Sequence, residues 1–307
     1  MTANSFYTSS ATRFLVCLLA GALISPVVRF ASAQVPGHEI LPPTSMVKGT
    51  YYLSTKQYQQ ALGLFKELVQ KEPSNNYVFR SLALAWNGLG QVIEGETYLK
   101  DYLSAHPMSG PAMYGLGFLY YLDGRLDESE QLLNKAIASD PENALALNNM
   151  GAVYAQQKNF FKAEALVKKA IGYRPTELMF YKNLFGVYKE AGAKSKFAFE
   201  FHQRVRKNST VVARGYGITL ARHKRQEGFR LYSQGKLNET IDTFLELFSI
   251  YSDIKRDSGI IASLFSLGIL YEEQGDLIKA RQSYNNLLKI NPKHLQAQER
   301  IKLLKKD

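Results

Sequence analysis

Four of the ten prolines stand on a ruler: Pro73, Pro107, Pro141 and Pro175 are each 34 residues from the next. A fixed period over such a length marks a chain built by stacking one supersecondary unit on copies of itself. With proline at position 32 of a 34-residue unit, frames begin at Pro42, Asn76, Gly110, Ala144 and Leu178, and two more, out of strict register, at Ala221 and Ile261. Position 8 then holds Gly49, Ala83, Gly117, Gly151, Phe185, Gly228 and Gly268, and position 11 holds Tyr52, Trp86, Tyr120, Tyr154, Tyr188, Leu231 and Tyr271. Position 20 reads Ala61, Gly95, Ser129, Ala163, Phe197, Thr240 and Ala280. Position 15 reads Lys56, Gly90, Gly124, Lys158, Gly192, Gly235 and Gly275.

Helical spacing gives each position a duty. Apolar residues at 4, 7, 8 and 11 make one face of a first helix, and those at 17, 20, 24 and 27 one face of a second. Small residues at 8 and 20 let the two backbones approach, and the ring at 11 fills the space beside them. Glycine near 15 suits a left-handed turn, and proline at 32 stops the second helix because it lacks an N–H. The segments "ALNNMGAVYAQQKNFFKAEALVKKAIGYRP" (146–175) and "SLFSLGILYEEQGDLIKARQSYNNLLKINP" (263–292) are the best copies. The pattern closely resembles the tetratricopeptide repeat, over about Pro42 to Pro292. The resemblance implies an all-α fold, a right-handed superhelical solenoid of about seven helix–turn–helix units, with 293–307 as a capping helix.

The ruler breaks once. Repeat five carries Phe185, Phe197 and Arg204 where small or apolar residues belong, and Ser209 where proline belongs. The next frame starts 43 residues on, which places the extra residues near 209–217. The sequence therefore divides into repeats over 42–208, an irregular basic connection over 209–217, and two further repeats over 218–292.

Residues 1–33 read as a secretory signal peptide, followed by a short linker over 34–41. No acid precedes Glu39, Arg13 leads into the apolar run Phe14–Ile24, and Ala31-Ser32-Ala33 suits cleavage before Gln34. Eleven apolar residues are short of the roughly 20 that span a bilayer, which argues against a retained anchor; the unbroken apolar block fits a mitochondrial transit peptide poorly. Cleavage would leave 36 Lys+Arg against 27 Asp+Glu, net +9, and would remove Cys17, the one cysteine. Disulfides, thiol catalysis and thiolate metal sites are then excluded, and the expected location is periplasmic or extracellular.

Two candidate sites follow. The resemblance implies that positions 2, 5, 9, 12 and 13 line a concave groove: Tyr77, Arg80 and Asn87; Tyr114, Phe118 and Tyr121; Asn148; Lys182 and Lys189; Arg222, Arg225, Phe229 and Tyr232. Amides, rings and cations of this kind hold an extended peptide. Asn148 and Asn149 have no duty in repeat packing, so Asn148 is expected to face the groove. The family's carboxylate clamp is not met, since Arg80 is followed by Leu84 and Gly115, and Asn149 by Met179 and Asn183. The second candidate is the stretch 196–230, with nine Lys/Arg, including Arg204, Arg206, Lys207, Arg214 and Lys224, against Glu200 and Glu227. Its charge suits an anionic polymer or membrane surface, or equally a solvated helix face. Nucleic acid is a poorer fit for an exported chain.

Catalysis finds no support. The five histidines are scattered, no H-E-x-x-H or G-x-S-x-G occurs, "GLGQ" and "GYGI" lack the third glycine of a dinucleotide loop, and Leu237 after "GK" spoils a phosphate loop. No cofactor is implied. The expectation is a non-catalytic scaffold whose partner is another protein or peptide segment.

Overall fold

All seven position-15 residues adopt left-handed backbone: Lys56, Gly90, Gly124, Lys158, Gly192, Gly235 and Gly275 have φ between 60° and 87° in the computed structural model, which describes residues 45–304. Each closes the tight turn of one helical hairpin. The first hairpin is α1 (Ser45–Ser54) with α2 (Tyr58–Lys71), and the second α3 (Asn76–Leu89) with α4 (Val92–Ala105). Then come α5 (Gly110–Leu122) with α6 (Leu126–Ser139), and α7 (Ala144–Gln156) with α8 (Phe160–Tyr173). The fifth is α9 (Leu178–Glu190) with α10 (Lys194–Arg206), and the sixth α11 (Thr210–Ser233) with α12 (Leu237–Asp253). The seventh is α13 (Asp257–Gln274) with α14 (Leu277–Ile290), and α15 (Leu295–Leu303) follows. The described residues contain no strand, so the fold is an all-α helical solenoid. None of these helices is long and apolar enough to cross a membrane. The leader over 1–33, the linker over 34–41 and residues 305–307 lie outside the described residues.

The proline junctions share a second device. Two residues after Pro73, Pro107 and Pro141, the side chains of Asn75, Ser109 and Asn143 accept backbone N–H bonds and cap α3, α5 and α7. Such caps satisfy donors that the first helical turn leaves unpaired. The two junctions that lack proline instead use left-handed Asn208 and Lys255.

Packing follows the repeat. A Cβ on Gly151 would lie 2.6 Å from Val167 Cγ2 and 3.1 Å from the Ala163 carbonyl, so only glycine lets α7 meet α8 here. The bulkiest fully buried side chains are all aromatic, Trp86 and Tyr188 at position 11 among them. In repeat five the small pair is replaced by Phe185 and Phe197, which pack edge to face at 5.2 Å.

The described chain divides into two compact units, residues 45–197 and 198–304, and the division falls within α10. Residues 209–217, expected as an irregular connection, are helical from Thr210 and lengthen α11 to 24 residues. The reason is packing: Gly217 sits where a Cβ would lie 2.5 Å from Ile254 and 3.0 Å from Phe201, and the Tyr216 hydroxyl donates to Glu200 at 2.5 Å. With α10 and the end of α12 to bury one side, the added residues gain more as helix than as loop.

Candidate functional site

In residues 45–197 the expected groove residues lie on the first helices α3, α5, α7 and α9, and three of them are not at the surface. Tyr114 and Asn148 are fully buried, and Phe118 is 3% exposed. A polar chain explains this. Asn183 Nδ2 donates to Asn148 Oδ1 at 2.9 Å, Asn148 Nδ2 to Asn149 Oδ1 at 3.2 Å, and Asn149 Nδ2 to the Tyr114 hydroxyl at 3.3 Å. Arg80 Nη1 reaches the same hydroxyl at 3.3 Å, and its guanidinium lies 4.2 Å from the centre of the Phe118 ring. Asn148 and Asn149 are thus packing residues, since a buried amide must spend its hydrogen bonds inside the fold. Burial pushes the Tyr114 hydroxyl above the ordinary tyrosine pKa.

The same face is bridged across three repeats. The Tyr77 hydroxyl donates to Glu177 Oε2 at 2.7 Å, and Arg80 Nη2 lies 3.2 Å from the Met179 sulfur. Arg174 Nη1 reaches the Tyr77 hydroxyl at 3.4 Å, and Asn143 Nδ2 donates to Asn76 Oδ1 at 3.0 Å. Tyr77 and Arg80 therefore meet the start of α9. Burial, and then the bond to Glu177, raise the Tyr77 pKa. Tyr121 is half-buried and stacked on Phe118 at 6.2 Å, while Asn87, Lys182 and Lys189 are exposed. The sequence reading missed Arg174 and Glu177, which flank Pro175 and pass for turn residues, and it left out Met179, at position 2 of its repeat on α9.

In residues 198–304 the inner-face residues expected on α11 do lie at or near the surface. Arg222 is exposed and Arg225, Phe229 and Tyr232 are half-buried, at a spacing that sets all four on one stripe. The lengthened helix continues that stripe through half-buried Ile218 to exposed Arg214. Arg214, Arg222 and Arg225 have no ion-pair partner among the described residues. The Tyr232 hydroxyl donates to Glu273 at 2.9 Å, and burial with that carboxylate raises its pKa.

The basic stretch is not one surface. Lys224 turns toward α12 and pairs with Glu246 at 2.6 Å and Glu227 at 3.5 Å, so it leaves the expected patch. Burial opposes its charge, but the two carboxylates outweigh burial and hold its pKa above the ordinary lysine value. Arg206 and Lys207 are exposed at the end of α10, and Arg204 is half-buried.

A repeating seam joins successive hairpins. Tyr120 donates to Glu96 at 2.9 Å and Tyr154 to Glu130 at 2.8 Å, and Glu164 is hydrogen-bonded by Tyr188. The glutamates are 34 residues apart at position 21, a signal present in the sequence, and the tyrosines stand at position 11 of the next repeat. Lys100 and Arg125 flank Glu96 at 2.5 and 2.6 Å; these bonds, Lys100 first, bring its pKa down to about 2 against the opposing effect of burial.

Comparison with known proteins finds the same repeat. A model described as TPR repeat matches residues 117–158, and two described as tetratricopeptide repeat match 143–174 and 261–294. No curated protein matches. Similar solved structures include MamA, at 20% identity over 52% of this chain and 94% of that one, with TM-score 0.37. The C-terminal part of a TPR repeat-containing protein from Cytophaga hutchinsonii is 17% identical over 83% and 99%, with TM-score 0.40. A human IFIT1 dimer with m7Gppp-AAAA is 20% identical over 80% and 63%, with TM-score 0.47. With its turn residues on the repeat's own ruler and repeat models matched in both compact units, the chain carries tetratricopeptide repeats.

Proposed function

We propose that the protein is a non-catalytic scaffold of the cell envelope that binds a peptide or protein segment along the first-helix faces of its repeats. The observation that supports this most is the α11 stripe, where Arg214, Arg222 and Arg225 alternate with Ile218, Phe229 and Tyr232. Cations without internal partners, set between apolar side chains, suit a segment that carries both acidic and apolar residues. The test is affinity capture with the wild-type chain from an envelope fraction, followed by quantification of the recovered partner with Arg222→Glu combined with Arg225→Glu. A loss of roughly tenfold or more in affinity is expected for such charge reversals. Equal recovery by the double variant sinks the reading.

A second reading rests on exposed Arg206, Lys207 and Arg214, which suit an anionic polymer or membrane surface. It predicts binding to vesicles of anionic lipid that weakens steeply with added salt, whereas a mixed polar and apolar protein contact is less salt-sensitive. Location in the envelope rests on the sequence of residues 1–33 and predicts Gln34 as the first residue of the purified protein. N-terminal sequencing that returns Met1 or Thr2 counts against export.

A further inference from the structure

The inner face of residues 45–197 carries a charge arrangement that packing alone does not explain. Asn75, Ser109 and Asn143 each cap the helix after their proline, and His294 does the same for α15. Glu177 holds the equivalent place before α9 but makes no side-chain cap. Its carboxylate crosses instead to the Tyr77 hydroxyl at 2.7 Å, a residue one hundred positions earlier. Arg174 also reaches that hydroxyl, with its guanidinium 5.5 Å from the centre of the ring. Arg80, half-buried beside them, has only neutral acceptors, the Tyr114 hydroxyl and the Met179 sulfur, and no carboxylate partner among the described residues. The Glu177 charge also acts on Tyr114, the hydroxyl that Arg80 holds.

A part-buried guanidinium held by neutral groups is a cation that lacks its best partner, since a forked guanidinium pairs most strongly with a carboxylate. We propose that Tyr77, Arg80 and Arg174 form a carboxylate-binding site that Glu177 fills only in part in the free protein, through its bond to Tyr77, and that an acidic segment of a partner protein displaces it and also engages Arg80. The inference rests on the reading of the chain as a binder of protein segments, and it concerns α3 and the start of α9 rather than α11. Glu177 acts as an internal competitor. A tethered carboxylate works at an effective concentration on the order of mM, so a lone external carboxylate loses to it and a segment with several does not. The bridging contacts are polar and exchangeable, so displacement swaps one hydrogen-bond set for another without exposing apolar core. Exposed Arg174 gives the incoming segment its entry.

The experiment is fluorescence anisotropy of a labelled deca-glutamate peptide titrated with the full chain. Glu177→Gln is expected to bind at least about tenfold more tightly than wild type. Adding Arg80→Gln, or separately Tyr77→Phe, to Glu177→Gln is expected to return the affinity to the wild-type level or below. Thermal melts of every variant separate lost binding from lost folding, and binding ratios are compared at a temperature where all are folded. Equal affinity of Glu177→Gln and wild type overturns the proposal, and so does an Arg80→Gln change without effect. An equal gain for a single-stranded oligonucleotide of matched charge overturns the assignment to a protein carboxylate. The Arg222 and Arg225 variants leave this site intact, so failure here is distinguishable from failure of the scaffold reading.

Discussion

Asn148 stands at position 5 of its repeat, where the resemblance implies a groove-facing side chain, yet its amide is fully buried between Asn149 and Asn183. Truncating it leaves those two amides short of a partner inside the fold, which costs more than the bond itself contributes. Asn148→Ala is therefore expected to lower stability by about 2 kcal/mol. Tyr114→Ala, which also opens a large cavity, is expected to cost roughly 3–5 kcal/mol. Urea denaturation followed by circular dichroism measures both, and a change below about 0.5 kcal/mol for Asn148→Ala refutes the buried chain. Residue type and repeat position cannot foretell this. Whether an inward side chain meets solvent depends on which neighbour arrives opposite it, and here Arg80 and Tyr114 arrive.

At the scale of elements, the glutamate–tyrosine seam sets how successive hairpins dock, because each Glu at position 21 is held by the next repeat's Tyr at position 11. Its charged members make the docking pH-dependent. The Glu96 pKa is depressed to about 2, so its contribution is fully present above the unfolded carboxylate value and is lost as pH falls through the folded one. The window is therefore from about 4.5 down to about 2. With its partners part-exposed, that contribution is on the order of 2 kcal/mol. Glu96→Gln should destabilise the protein at neutral pH by that order and flatten the acid limb of an unfolding titration within the window. An unchanged acid limb in the variant would assign the acid sensitivity elsewhere. Element boundaries show the same interplay of local and distant forces. The seven left-handed turns were legible from position 15, whereas helical 209–217 was not, because Ile254 and Phe201 stabilise it from outside the segment.

At the scale of the whole molecule, a stack of repeats needs its last hairpin covered. α15 does this for α14: Ala297 is fully buried, the Leu304 carbonyl accepts from Arg281, and Arg300 pairs with Glu272 at 3.0 Å. Removing residues 295–307 is expected to cost about 2 kcal/mol and to lower the melting temperature by roughly 5 °C, with aggregation on heating. A melting curve superimposable on that of the full chain would show that the last hairpin needs no cap.

The amino-acid sequence by itself determined the repeat, its seven hairpins, the turn residues and the buried rings. Each of these follows from spacing along one or two adjacent helices, where local sterics and amphipathic pattern decide the outcome. The resemblance it carries added an expectation of which helix faces turn inward. Only the tertiary structure decided which inward residues remain available: the α3–α9 face is bridged by Tyr77, Arg80, Glu177 and Met179, and the α11 stripe keeps unpaired arginines. Contacts a hundred residues apart depend on how successive hairpins stack, and no local pattern carries that information.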